Sequence, residues 1–559
     1  MRILFLARSF NSLTQRLYVE LAARGHEVSV EFDIADSVTE EAVKLFEPDL
    51  IVAPFLKRAI PESVWRRHVC LVVHPGIVGD RGPSALDRAV QDGEAEWGVT
   101  VLQAEAEMDA GPVWASRTFA MRAATKSSLY RCEVTEAAVE AVLTAIERLA
   151  SGVFAPQRVV PGSPDVRGRA RPLLRQEERR IDWQHDDTAE VLRRIAAADG
   201  APGVLDSLFG APCFLYDAHA APRPAGTAPG SVVARGGRAV LRATGDGAVW
   251  IGHCRRADID GALKLPVALA FPGPWAKLPQ NDGYAEIHYE EHGPVGVLHF
   301  PFYNGAMSTA QCEELLAAYR AALARPTGIL LLAGGPEFFS NGIHLNVIEN
   351  AASPADESWR NINAIDDVCR AVLETTDRLT VAALQGNAGA GGCFLALACD
   401  LVWARAGVIL NPHYRNMGNL YGSEYWTYTL PRRVKRGEPR AVMENRLPVG
   451  AAQAVGHGLV DRVFEAGRSA FLPQAIAEAR SLAESADFGA VLAAKRARRA
   501  ADEAQRPLAA YRAEELAQMR RNFYGFDPSY HYARAHFVGK VPHAWTPLHL
   551  ASHRRRSAV

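Results

Sequence analysis

The sequence has almost no net charge, no paired cysteines and no long apolar run. Its 62 basic and 63 acidic residues give a formal charge of -1, so nothing electrostatic favours a nucleic acid or an anionic membrane as partner. The eight cysteines are scattered without a CxxC pair, which is typical of buried thiols in a reducing compartment. No uninterrupted apolar stretch reaches the roughly 20 residues of a membrane span. We expect a cytoplasmic protein that acts on small molecules.

The length and the order of elements indicate an α/β multidomain protein. A chain of 559 residues is too long for one hydrophobic core. Apolar strands alternate with amphipathic helices in the first part and again after residue 283, which predicts a parallel sheet and then a second α/β domain. The middle should be small and β-rich, and the last part a helical extension ending in the solvated basic residues Arg554 to Arg556. The predicted domains cover residues 1–170, 171–275, 284–480 and 481–559.

The first loop, residues 7–14, contains no glycine. The GxGxxG fingerprint of a dinucleotide site is therefore absent, which counts against NAD. The loop and the helix after it instead offer the polar side chains Ser9, Asn11 and Gln15 as candidates for binding a substrate.

A histidine and an aspartate are the candidate catalytic pair of the first half. His74 ends an apolar strand, and ligands bind at the carboxyl ends of strands in open α/β sheets. Asp109 follows about 35 residues later in a turn with Gly111, after a loop that contains Arg81 and Gly82. Together, His74 and Asp109 could stabilise a tetrahedral oxyanion and transfer the leaving-group proton. Either residue alone would also suit an ordinary loop, so the argument depends on the ordered combination.

These segments resemble the 10-formyltetrahydrofolate-dependent formyltransferase family, which includes methionyl-tRNA formyltransferases and formyltetrahydrofolate hydrolases. The matching residues are His74, Arg81, Gly82, Asp109 and Gly111. The family's catalytic Asn, two residues before the His, is replaced by Val72. The resemblance covers roughly the first half of the chain. It implies that 10-formyltetrahydrofolate is the formyl donor, and that another donor such as Asn11 or Gln15 polarises the formyl group.

Two glycine-containing turns in the second half are candidates for an oxyanion hole. Gly342 and Ile343 follow one strand, and some forty residues later a turn with Gly391 and Gly392 leads into an apolar helix. Two such turns can direct two backbone N–H groups at one thioester oxygen. Over about residues 285–480 the pattern is similar to the enoyl-CoA hydratase/isomerase (crotonase) family. The resemblance implies coenzyme A as a ligand and the amides of Ile343 and Gly391 as donors.

Both carboxylates that hydratases of that family use are missing. Phe394 and His413 occupy their positions, so we do not expect addition of water to an enoyl-CoA. A polar and aromatic segment, residues 411–428, lies where catalytic groups belong. Tyr414 and Glu424 are its acid and base candidates, and plain aromatic packing is the alternative.

A fusion of these two halves resembles a family of hydrogenase maturation proteins, which implies synthesis of the CO ligand of [NiFe]-hydrogenase. His74 and Asp109 would move the formyl group to the thiol of coenzyme A. Glu424 would then remove the formyl hydrogen as thiolate leaves, assisted by Tyr414. No metal or redox cofactor is needed, because the formyl carbon and the carbon of CO have the same oxidation state.

Two other functions fit the same residues. One is a formyl-folate hydrolase joined to an inert acyl-CoA-binding module. The other is a scaffold without catalysis, which binds both ligands only to contact hydrogenase assembly proteins. The missing Asn and the missing carboxylates favour the scaffold, whereas His74, Asp109 and both glycine turns oppose it.

Overall fold

The computed structural model describes residues 1–160, 162–164, 166–434 and 439–556. The chain forms two compact units, Met1–Tyr284 with Pro542–Val559, and Ala285–Val541. The expected helical extension over 481–559 is thus divided between the units. None of the described helices is long and apolar enough to cross a membrane. All eight cysteines are buried and none forms a disulfide, as the sequence predicts.

The first unit begins with a six-stranded sheet in the order β2-β1-β3-β4-β5-β6. The first four strands are parallel, as predicted, but β5 runs antiparallel to both of its neighbours, β4 and β6. A hairpin connects β5 to β6, and its turn carries Asp109. The elements are β1 (Arg2–Ala7), α1 (Ser12–Ala23), β2 (Glu27–Phe32), α2 (Asp36–Phe46), β3 (Leu50–Phe55), α3 (Glu62–Trp65), β4 (Cys70–His74), α4 (Ala85–Gln91), β5 (Glu96–Gln103), β6 (Val113–Ala120), α5 (Lys126–Leu129), a π-helical turn (Tyr130–Val134) and α6 (Thr135–Ser151).

The middle of the chain is a small antiparallel sheet with short helices. Its strand order is β7-β8-β11-β10-β9, and β12 pairs with β11. Ile181 and Trp183, which precede the sheet, are buried in its core. The elements are α7 (Gln176–Arg179), α8 (Thr188–Ala197), β7 (Val204–Leu208), β8 (Ala211–Ala221), β9 (Val232–Gly236), β10 (Ala239–Ala243), β11 (Ala248–Arg256), β12 (Leu265–Pro266), α9 (Val267–Ala270) and α10 (Pro272–Ala276).

The second unit contains a six-stranded sheet, β13-β14-β15-β17-β19-β22, and a four-stranded sheet, β16-β18-β20-β21. The larger sheet is parallel except at β13, and its central strands β14, β15, β17 and β19 are largely buried apolar runs. In chain order, the first elements of this unit are β13 (His288–His292), β14 (Val295–His299), a 3-10 turn (Tyr303–Gly305), α11 (Thr309–Leu323), β15 (Ile329–Ala333), β16 (Phe338–Ser340), α12 (Leu345–Asn350), α13 (Pro354–Glu374), β17 (Leu379–Leu384), β18 (Asn387–Gly389), α14 (Gly391–Ala398), β19 (Leu401–Arg405) and β20 (Ile409–Asn411). The remaining elements are α15 (Trp426–Arg433), α16 (Pro439–Glu444), β21 (Val449–Gly450), α17 (Ala451–His457), β22 (Arg462–Phe464), α18 (Arg468–Ala483), α19 (Phe488–Gln505), α20 (Leu508–Tyr524) and α21 (Ser529–Val538).

The C-terminal tail, which we define as residues 542–556 and which ends in α22 (Ser552–Arg556), packs against the edge strand β2. The amide of Val30 donates to the carbonyl of Leu550 at 3.0 Å. His553 and Arg554 contact the buried carboxylate of Glu31 at 2.9 and 2.7 Å. The expectation of a solvated basic tail is therefore wrong for Arg554, because a buried carboxylate requires charged or hydrogen-bonding partners.

Candidate active sites

His74 at the end of β4 lies between two carboxylates. Its Nε2 is 3.0 Å from Oδ2 of Asp80, and its Nδ1 is 3.5 Å from Oδ1 of Asp109. The His74 ring and Asp80 are buried, whereas Asp109 is partly exposed. A neutral imidazole has one N–H donor, so a hydrogen bond to Asp80 leaves the other ring nitrogen facing Asp109. The structure thus brings His74 and Asp109 together and adds a third group.

Asp80 is a site residue that the sequence analysis missed. It lies in the same loop as Arg81 and Gly82, and its second oxygen is 3.5 Å from the guanidinium of Arg171. A Cβ on Gly76 would lie 2.4 Å from Nε2 of His74 and 2.7 Å from Asp80, so only glycine allows the two side chains to meet. An acidic residue six positions after the histidine, beyond a glycine, is the signal that identifies it.

The turns that carry Arg81, Gly82 and Asp109 are held close together. Asp109 has a left-handed φ of 57°, and its Oδ2 accepts a hydrogen bond from the amide of Gly82 at 3.4 Å. A Cβ on Gly111 would lie 1.8 Å from the carbonyl oxygen of Gln103, so this position also requires glycine. Arg81 forms an ion pair with Glu107 at 2.8 Å. A cavity beside these groups is lined by Asp80, Arg81, Thr100, Asp109 and Gly111, among others.

The polar residues of the first loop form hydrogen bonds that stabilise the loop and the start of α1. The side chain of Asn11 caps α1 by accepting from the amide of Thr14 at 3.0 Å, and it donates to the hydroxyl of Tyr130 at 3.2 Å. Gln15 donates to the carbonyl of Phe10 at 3.0 Å, and the carbonyl of Ser9 accepts from the hydroxyl of Thr14 at 3.4 Å. To replace the donor that is absent at Val72, Asn11 would use the N–H groups of its amide, one of which donates to Tyr130, while its oxygen caps the helix.

The two glycine turns of the second unit meet. Gly342 has a φ of 77°, and a Cβ on it would lie 3.1 Å from the amide nitrogen of Gly391. The first turn is fixed by hydrogen bonds from Met307 N to the Gly342 carbonyl and from Gly342 N to Oγ of Ser340. The buried side chain of Asn361 accepts from the amide of His344, two residues after Gly342. Ile343 and Gly391 thereby stand in adjoining turns.

The carboxyl group of Glu424 lies against the second glycine turn. Gly391 is the first residue of α14, and a Cβ on it would lie 2.1 Å from Oε1 of Glu424. A Cβ on Gly392 would lie 1.9 Å from the carbonyl of Ser340, so neither glycine tolerates a side chain. The candidate base and the candidate oxyanion donor therefore share one small space.

Tyr414 donates a 2.5 Å hydrogen bond to Oε2 of Glu424. The amide of Ser423 donates to the same oxygen at 3.1 Å. Burial and the charge of Asp366 raise the pKa of Glu424 to about 8, although the Tyr414 hydrogen bond lowers it. Burial and the nearby Glu424 raise the pKa of Tyr414 well above its usual value, so the phenol remains a proton donor. The arrangement can take up or release a proton near neutral pH without contact to bulk water.

Comparisons with known proteins agree with this two-part organisation. Three family models match: Formyl transferase over residues 1–146, Formyl transferase C-terminal domain over 173–260, and Enoyl-CoA hydratase/isomerase over 297–545. The chain is 59% identical over 562 residues to the hydrogenase maturation factor HoxX of Bradyrhizobium diazoefficiens, which covers 100% of this chain and 98% of that protein. It is also 27% identical over 237 residues to a methionyl-tRNA formyltransferase of Trichlorobacter lovleyi, with 42% of this chain and 72% of that protein covered. Among solved structures, HypX from Aquifex aeolicus in complex with tetrahydrofolic acid matches with 50% identity and a TM-score of 0.95, covering 99% of both chains.

Proposed function

The chain belongs to the HoxX (HypX) family of hydrogenase maturation factors, and we propose that it makes carbon monoxide from a folate-bound formyl group. The product would be the CO ligand of the metal centre of [NiFe]-hydrogenase. The chain carries formyl transferase and enoyl-CoA hydratase/isomerase domains, and the Aquifex relative was solved with tetrahydrofolic acid. The proposal assigns one reaction to each unit.

In the first reaction, the formyl group moves from 10-formyltetrahydrofolate to the thiol of coenzyme A. The thiol loses its proton, its sulfur attacks the formyl carbon, and the carbon–nitrogen bond then breaks. The folate nitrogen receives a proton, which balances the one that the thiol lost. His74 is suited to stabilise the tetrahedral oxyanion, and Asp109 to handle the proton. Asp80 would orient His74, as a carboxylate does in other His-dependent sites. Ser9, Gln15, Arg81 and the backbone of Gly82 and Gly111 are the proposed binding groups.

In the second reaction, formyl-CoA is decarbonylated. Its carbonyl oxygen would accept from the amides of Ile343 and Gly391, next to Gly342 and Gly392. Glu424 would take the proton as the carbon–hydrogen bond breaks, and the carbon–sulfur electron pair would leave on sulfur. The thiolate is then protonated by Glu424 or through Tyr414, so the products are CO and free coenzyme A. The observation that carries this proposal is the buried Glu424 carboxyl, hydrogen-bonded to Tyr414 against Gly391.

The test uses 10-formyltetrahydrofolate labelled at the formyl carbon, with and without coenzyme A, and traps CO on reduced haemoglobin. We expect labelled CO that depends on coenzyme A. Glu424→Gln should accumulate formyl-CoA without CO, and His74→Ala should release CO only from added formyl-CoA. Labelled formate without CO would favour the hydrolase, and an untouched folate would favour the scaffold.

A further inference from the structure

The turn that carries Glu424 has an unusual backbone conformation. Glu424 and Tyr425 are consecutive, neither is glycine, and their φ angles are 61° and 59°. Left-handed conformations at such residues persist only where the surroundings enforce them, and they cluster at functional sites. The groups that enforce this one come from two helices distant in sequence.

Asp366 on α13 holds the turn from one side. One of its oxygens accepts the amide hydrogen of Glu424 at 2.8 Å, and both accept from the hydroxyl of Ser423, at 2.9 and 2.8 Å. The Asp366 side chain is fully buried. A carboxylate with these contacts fixes the peptide that immediately precedes the Glu424 side chain.

Glu515 on α20 holds the turn from the other side. Its carboxyl accepts from the amides of Tyr425 and Thr427, at 2.9 and 2.8 Å, and from the Thr427 hydroxyl at 2.5 Å. Glu515 is also fully buried. The two acids therefore bind four residues of one short segment, Ser423, Glu424, Tyr425 and Thr427, and the candidate base is one of them.

The same two acids also set the electrostatic environment of Glu424. The titratable and charged groups around it are Tyr414 on its own segment, Asp366 and Cys369 on α13, and Arg512 and Glu515 on α20. Arg512 is 3.8 Å from Asp366 and closer to the half-buried Asp367, so the two aspartates share its charge. Burial raises the pKa of Asp366 to about 6, and burial together with Asp366 raises that of Glu515 to about 8. Three buried carboxyl groups this close cannot all ionise readily.

We propose that Asp366 and Glu515 are positioning residues that hold the Glu424 carboxyl against Gly391, and that the charge of Asp366 makes Glu424 a stronger base. Proton uptake by Glu424 is favoured when Asp366 is ionised, since like charges repel across a water-free interior. The inference rests on the proposed decarbonylation, because it assigns these acids to that base.

Two readouts test it in the full-length protein. The first is CO release from added formyl-CoA as a function of pH, and the second is infrared titration of the protonated Glu424 carboxyl, assigned by its loss in Glu424→Gln. Asp366→Asn keeps an oxygen for the Glu424 amide but removes the charge. We expect the midpoint of both titrations to fall by on the order of one pH unit. Asp366→Ala, which removes the acceptor, should lower kcat by on the order of 100-fold with a smaller change in KM.

The matched control is Asp356→Asn, which removes an exposed charge from the same helix and should leave both midpoints unchanged. An Asp366→Asn protein that makes CO with the wild-type midpoint would overturn the inference. A wild-type protein that makes no CO from formyl-CoA would instead refute the proposed function. In that case a shifted infrared midpoint in Asp366→Asn would still support the coupling of the two acids.

Discussion

The ring of Phe394 stacks on the ring of Tyr414, with centroids 5.4 Å apart and planes inclined by 15°. Phe394 occupies the position where crotonase-family hydratases are expected to carry a glutamate. An aromatic ring there supports Tyr414, which in turn binds Glu424. The residue that replaces the family's glutamate thus helps to place the carboxylate of Glu424, because the stacked rings fix the phenol that binds it.

Release of CO from formyl-CoA should increase with pH through about 8. Glu424 must be ionised to accept the formyl proton, and burial followed by the charge of Asp366 raises its pKa to that value. Below this pH the carboxyl is protonated and the rate should fall about tenfold per unit. Steady-state rates from pH 6 to 10 measure the profile, and a rate independent of pH would exclude Glu424 as the base.

Tyr414→Phe should move that profile in the opposite direction from Asp366→Asn. The Tyr414 hydrogen bond lowers the pKa of Glu424, so its loss should raise the midpoint by on the order of one unit. The stacking on Phe394 is retained by the substituted ring. Tyr428→Phe, at a buried tyrosine that binds Asp502 instead, is the matched control. A midpoint that falls or stays in Tyr414→Phe would contradict the assignment.

Gly391→Ala should strongly slow CO release while the protein stays folded. The added methyl group would lie 2.1 Å from Oε1 of Glu424, so the carboxyl must move. Displacing the carboxyl of Glu424 in this way should lower kcat by on the order of 100-fold. Gly456→Ala, on α17 with open space around it, should leave the rate unchanged. Rates on formyl-CoA, with melting curves for both variants, decide the outcome.

Asp80→Asn should slow formyl transfer to coenzyme A without affecting CO release from formyl-CoA. The neutral amide is a weaker partner for Nε2 of His74, so the ring is oriented less firmly. Similar changes at oriented histidines lower the rate by about 100-fold or more. Asp92→Asn serves as control, because Asp92 also binds Arg171 but is largely exposed. Equal rates of formyl-CoA formation in the two variants would refute the role of Asp80.

Acidification should release the tail from β2. Burial alone would raise the pKa of Glu31, but hydrogen bonds from His553 and Thr546 and the charge of Arg554 hold it below its usual value. A depressed folded-state pKa contributes stability above the unfolded value of 4.5 and loses it as pH falls through the folded value. His553→Ala should lower the free energy of unfolding by about 3 kcal/mol at neutral pH.

Hydrogen exchange at Val30, whose amide binds the tail, measures this release. Glu41→Gln is the control, since Glu41 also contacts Arg554 but is exposed. Protection of Val30 that is unchanged at pH 3 would show that Glu31 does not anchor the tail.

The sequence predicts what depends on neighbouring residues, and misses what depends on distant ones. Buried runs identify β1 to β4, and glycine spacing identifies the turns at Gly342 and Gly391. The reversed direction of β5 depends on its pairing with β4, which no local pattern encodes. Asp366 and Glu515 meet the Glu424 turn from 58 and 90 residues away, so their roles emerge only from the fold.

The tail also determines when the first unit can be finished during synthesis. Strand β2 is made early, but the carbonyl that binds Val30 belongs to Leu550, which the ribosome adds after the whole second unit. Until then the edge of the sheet has unpaired backbone groups, which other strands can bind. A chain that stops at residue 541 would contain every proposed catalytic residue and still present that open edge, so its failure would be aggregation rather than lost chemistry.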